Sequence, residues 1–169
     1  MTEKPVVRPR VGLRKTDFSD LEYVTALEQA EENRRYVFQQ TQDQHREMMA
    51  SPDIAHLIVM RGNTPIGFMI LAGLAGSNGS IELKRFVIGE KGLGYGREAL
   101  RLCVALTFEV FNAHRLWLDV VDYNQRAIDL YLSAGFVKEG LLRECDLFEG
   151  EYASLVIMSM LRQEYEQRS

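Results

Sequence analysis

The chain has 169 residues, 46% of them hydrophobic and 26% charged, with a formal net charge of −4. That length suits one domain, and the apolar fraction excludes a globally disordered chain. Its longest apolar runs, such as Ile66–Leu74, are half of what a membrane span needs, and the acidic balance argues against a general nucleic-acid binder.

A short strand is expected near Val11–Arg14. Ser19 and Glu22 have capping-box spacing, and Leu21, Val24 and Leu27 extend a helix to about Ala30. Thr41 and Gln44 repeat the box before a short helix whose apolar face is Met48 and Met49, ending ahead of Pro52. Ile54–Met60, Ile66–Leu74 and Ser80–Ile88 read as three strands of an antiparallel meander, divided by Gly62-Asn63 and by the glycine-rich stretch 73–79.

The second half changes rhythm. Gly92, Gly94 and Gly96 lead into a helix with Leu100, Cys103, Val104, Thr107, Phe108 and Phe111 on one face. Leu116–Val121 is a short apolar strand suited to burial on both faces. A helix opening at Asp122 and Gln125 carries Ala127, Leu130, Tyr131 and Ala134 and closes on Gly135. Strands near Phe136–Arg143 and Tyr152–Leu161 flank Glu149-Gly150, and Arg162–Ser169 reads as a frayed polar tail.

The order is β-α-α-β-β-β-α-β-α-β-β, an α+β fold with a mixed, mostly antiparallel sheet. One strand–helix–strand crossover, Ile81–Val121, places its two strands parallel. The expected domain is a single one over residues 8–161. Met1–Arg10 has no apolar stretch behind its basic residues, so no leader peptide is expected. Cys103 and Cys145 form no metal or disulfide pattern, so no metal is expected and a reducing, cytoplasmic setting is. His45 and His114 are expected at the surface, His56 on a strand.

Lys91-Gly92-Leu93-Gly94-Tyr95-Gly96 lies between an apolar strand and an amphipathic helix. Glycines let the backbone turn its N–H groups toward an anion, and the helix N-terminus, Lys91 and Arg97 add positive charge. A tight structural turn would also explain the glycines. A nucleotide-triphosphate loop would need Lys-Ser or Lys-Thr where Arg97-Glu98 stands. A dinucleotide fingerprint would use Asp119 on the next strand, but the glycine spacing and the missing repeat of βαβ units oppose it.

This loop resembles the R/Q-x-x-G-x-G/A motif of the GCN5-related N-acetyltransferases (GNAT). The run Asn124-x-x-Ala127-x-x-Leu130-Tyr131-x-x-x-Gly135-Phe136 resembles their second motif, and both occur in the family's order. The resemblance implies a three-layer, seven-stranded GNAT sheet flanked by about four helices. Gly135–Arg143 is similar to the branch that acetylates ribosomal-protein N-termini, although Ser154 stands where an Asp is common there.

The resemblance further implies acetyl-CoA as donor, held between two parting parallel strands, and an amine acceptor. Phe86, Val87 and Ile88 would face the pantetheine. Lys91, Gly92, Leu93, Gly94, Tyr95, Gly96 and Arg97 would hold the pyrophosphate, and Asn124 would touch the CoA arm. Tyr131 matches the general acid that protonates the leaving thiolate, and Glu82 the strand base. Arg34, Arg35 and Tyr36 would line the acceptor site. The acceptor could be a protein N-terminus, a polyamine or a small-molecule amine. A homodimer is common in the family, and neither nucleic acid nor membrane is an expected partner. A CoA-binding regulatory module without turnover, or transfer from another acyl-CoA, are the alternatives.

Overall fold

The computed structural model describes residues 10–169. The first two residues of the expected domain, and nearly all of the stretch in which no leader was expected, lie outside the described residues. Among the described residues, seven strands form one sheet: β1 (Val11–Lys15), β2 (Ile54–Arg61), β3 (Thr64–Ala72), β4 (Ser80–Ile88), β5 (Arg115–Val121), β6 (Val137–Phe148) and β7 (Glu151–Leu161). Their spatial order is β1-β2-β3-β4-β5-β7-β6. Only β4 and β5 run parallel. The helices are α1 (Leu21–Gln29), α2 (Gln42–Ala50), α3 (Tyr95–Ala105), α4 (Gln125–Ala134) and α5 (Arg162–Glu166). The expected mixed α+β architecture is therefore present.

One face of the sheet carries a mainly apolar core. Leu100, Cys103, Val104 and Phe108 pack on Leu116, Leu118 and Met158, as the helical spacing demands. The helix widens after Ala105: Leu106–Val110 is π-helical, and the Thr107 hydroxyl donates to the Cys103 carbonyl at 2.8 Å. The helix–strand joint that follows returns the chain to β5.

The opposite face packs α1 and α2 on Ile58, Phe68, Ile70 and Val87. A polar string is buried in it, and here the surface expectation for His45 fails: His45 has no exposed area. Thr16 Oγ1 lies 2.8 Å from His56 Nδ1, His56 Nε2 lies 3.0 Å from His45 Nδ1, and His45 Nε2 lies 3.2 Å from Glu28 Oε2. One proton arrangement satisfies every pair. His45 Nε2–H donates to Glu28, His56 Nε2–H donates to His45, and the Thr16 hydroxyl donates to His56. His114 is exposed, as expected.

Two further readings are corrected. The first helical segment does not open on Ser19 and Glu22. A 3₁₀ turn (Phe18–Asp20) precedes α1, the Asp17 N–H donates to Asp20 Oδ2 at 2.8 Å, and Arg14 grips Asp20 through two bonds of 2.7 and 2.8 Å. A charge pair from β1 outcompetes the local serine cap. The final residues are not frayed: α5 docks through Tyr165, whose ring stacks on Phe108 at 4.9 Å, while Arg162 donates to the Phe108 carbonyl at 2.9 Å. One aromatic ring and one arginine together seat an otherwise polar turn.

Candidate active site

Strands β4 and β5 pair only over Ser80–Glu82 and Arg115–Trp117. Beyond that they part, leaving a cleft of about 820 Å³ whose walls are the end of β4, the glycine loop, α4 and the loop between α1 and α2. A narrow inner slot of about 80 Å³ continues between the strands. Tyr131 lines both.

The glycine loop is shaped by its backbone. Gly92 and Gly94 take φ of +81° and +82°, a region that side chains disfavour, and nothing stands within 4 Å of where a Cβ would point. Conformation, not crowding, requires glycine there. Gly94 caps α3, so the first amides of that helix open at the cleft mouth beside Arg97. The arrangement fits the phosphates of an elongated anionic ligand, and the half-buried strand end Phe86–Ile88 fits an amide-bearing arm.

Of the residues singled out in the sequence, Phe86, Val87, Ile88, Lys91, Gly92, Gly94, Gly96, Arg97, Asn124, Tyr131, Arg35 and Tyr36 line this cleft. Leu93 and Tyr95 do not: Leu93 points outward, and Tyr95 receives a hydrogen bond from Arg61 at 3.2 Å. Arg34 also turns away and pairs with Glu149 at 3.2 Å. Asn124 is a helix cap as well, its Oδ1 accepting the Ala127 N–H at 3.2 Å. That bond, not one from Asp122, starts α4.

Tyr131 is buried, with its ring edge-on to Phe136 at 5.7 Å. Burial pushes its phenol upward, so the proton stays on the oxygen at working pH. Cys103 is buried and its thiol is pushed up to about 12, which removes it as a nucleophile.

Glu82 is not brought into this constellation. It sits in the paired part of β4, opposite Trp117 and Ala72, and lines neither cavity. The reason is a bulge: Ile70 faces Arg85 while Leu71 faces Leu83, so Lys84 is an extra residue. Ile81 and Leu83 then share the α3 face with Phe86 and Ile88, and Glu82 is turned to the other side. Burial raises its carboxyl above the ordinary range.

Sequence reasoning missed the cleft's acids and one of its cations. Glu31 and Glu32 stand on the α1–α2 loop, with Asn33 and Val37 beside them, and Glu90, Arg126 and Asp129 complete the rim. Asp119 lines the inner slot with Tyr131, and desolvation lifts its carboxyl too. The parting of the strands places Asp119, and no local pattern announces it.

Residues 10–137 match the family described as acetyltransferase (GNAT) domain. The chain is 26% identical over 164 residues to a spermidine N(1)-acetyltransferase of Escherichia coli, covering 92% of this chain and 88% of that one. It is 33% identical over 79 residues to the enzyme of that name from Vibrio cholerae, covering 47% of this chain and 46% of that one. Among solved structures, a spermidine N-acetyltransferase from Vibrio cholerae in complex with CoA and spermine superposes with a TM-score of 0.84 at 23% identity. That match covers 93% of this chain and 98% of the other, and shows the shared fold. These matches do not specify the ribosomal-protein branch. Acetyl-CoA is the donor of this family, and the cleft fits it. The chain belongs to the GNAT family and is an N-acetyltransferase.

Proposed function

We propose that the chain moves the acetyl group of acetyl-CoA directly to a primary amine of a polyamine. The observation that carries this reading is the junction of the two cavities. The glycine loop stands at the outer end of the large cleft, and Tyr131 stands where that cleft meets the slot. The donor supplies the thioester. The loop amides and Arg97 bind its phosphates, and Phe86–Ile88 orient its arm. Tyr131 gives its phenol proton to the sulfur as the C–S bond breaks and the C–N bond forms. Asp119, in the same slot, accepts the proton that the amine sheds.

Support for a polyamine comes from the spermidine N(1)-acetyltransferase relatives and from Glu31 and Glu32 on the acceptor-side loop. Two carboxylates there attract a second and third ammonium on the same molecule, which a monoamine lacks. The acidic chain and its unpaired cysteines agree with a cytoplasmic setting.

Steady-state acetylation of spermidine, butylamine and a basic peptide N-terminus tests the reading. Spermidine should exceed butylamine in kcat/KM by about tenfold or more, as one retained charge contact predicts. Preference for the peptide would return the acceptor to the protein class. Tyr131→Phe should lower kcat by about 10²-fold or more with the acetyl-CoA dissociation constant nearly unchanged.

A further inference from the structure

The loop between α1 and α2 forms the acceptor wall of the cleft and is tied down at several points. Arg34 pairs with Glu149, the Tyr123 hydroxyl donates to the Arg35 carbonyl at 2.6 Å, and Phe38 stacks on Phe148 at 4.4 Å. Those ties reach the β5–α4 turn and the β6–β7 hairpin. A different tie crosses to the glycine loop. Lys91 Nζ donates to Asn33 Oδ1, and to the Ile88 carbonyl at 3.1 Å.

Asn33 is 4% exposed and fixed from behind. Its Nδ2 donates to the Leu27 carbonyl at 2.9 Å, its backbone N–H donates to Ala30, and its carbonyl accepts from Tyr36 at 2.8 Å. Asn33 Oδ1 is thus a buried acceptor that takes its hydrogen bond from Lys91. Leaving such an atom without a partner carries the full desolvation penalty. Partial burial lowers the hold of the Lys91 ammonium on its proton, against the pull of Glu32 and with the push of Arg126.

We propose that Lys91 is a positioning residue for the acceptor wall rather than a ligand of the donor's phosphates. Its ammonium clasps Asn33 across the cleft mouth and so sets the loop that carries Glu31, Glu32, Arg35 and Tyr36. Phosphate binding falls to the glycine-loop amides and Arg97. The inference rests on assigning that loop to the acceptor, and it gives the first position of the glycine motif a task on the other side of the cleft.

The test compares Lys91→Met, Asn33→Ala and the double variant in the full chain. Titration calorimetry gives the acetyl-CoA dissociation constant, kinetics give the acceptor KM, and hydrogen exchange follows the amides of residues 30–40. Lys91→Met should leave donor affinity within about twofold, raise acceptor KM by about fivefold or more, and speed exchange in the loop. Asn33→Ala should do the same, and the double variant should add little to it, because both single changes break the shared Lys91–Asn33 contact.

Donor affinity weakened by about tenfold in Lys91→Met, with loop exchange unchanged, overturns the proposal, as do single effects that simply multiply. Exchange needs no acceptor, so a wild-type enzyme that ignores spermidine sinks the polyamine reading without deciding this one. If Asn33→Ala fails to fold, Lys91→Met with its exchange pattern decides alone.

Discussion

The two faces of the sheet are stabilised by different physics. On the α3 side, Leu100, Cys103, Phe108, Leu116 and Met158 exclude water by shape and area alone. On the α1–α2 side, a much smaller apolar cluster packs beside the directional string Thr16–His56–His45–Glu28. An apolar contact tolerates small shifts, but each member of a hydrogen-bonded string fixes the tautomer and rotamer of the next. The polar face is also the one that backs the acceptor wall: Glu28 Oε2 accepts the Gln40 N–H at 2.9 Å, at the end of that loop. Directional bonding is thus concentrated behind the α1–α2 loop that walls the cleft.

The comparison breaks most visibly on the apolar side. Phe108→Ala should cost about 3–5 kcal/mol in urea unfolding, since it opens a cavity and unseats Tyr165. That loss should be the same at neutral and mildly acidic pH, because the Phe108 ring carries no charge of its own.

The polar side should respond to pH. Burial and the neighbouring His45 lower His56 to about 4. The unfolded chain therefore binds a proton below about pH 6.5 that the folded chain refuses until about pH 4, and stability falls as pH drops through that window. Between about pH 7.5 and about pH 5 the loss from this group should be about 2 kcal/mol. His56→Leu should flatten the slope over that range, and an unaltered slope would show that His56 is not held neutral.

The smallest effect sharpens the same contrast. The Thr41 and Gln44 side chains close a reciprocal cap on α2, at 3.2 and 2.8 Å. Thr41→Ala should cost about 1 kcal/mol. Because α2 carries His45, hydrogen exchange should rise at Gln44 and His45 and leave α3 untouched.

What could be read in the sequence divides along the same line. Apolar periodicity discloses α3 and its partners because each position repeats a local rule, and a single long crossover discloses the parallel pair. The Thr41 box was legible for the same reason. The string was not, since His45 bonds to residues 11 and 17 positions away and an isolated histidine on a polar helix has no distinguishing neighbour. Glu82 misled because an offset to the strand end does not disclose the extra Lys84 that turns it away from the face of Phe86 and Ile88. Glu31, Glu32 and Asp119 carry ordinary surface chemistry in the sequence, and only the closure of the cleft gathers them.

The parting of β4 and β5 has one more consequence. A strand that loses its neighbour offers a row of unpaired amides and carbonyls, a template on which foreign chains add and aggregates grow. Here that edge is created in the middle of the sheet, where the walls of α4 and the glycine loop shield it from another folded domain. A slender arm bearing its own secondary amides can still enter. The hazard of an open edge becomes a filter that admits a thread and refuses a sheet.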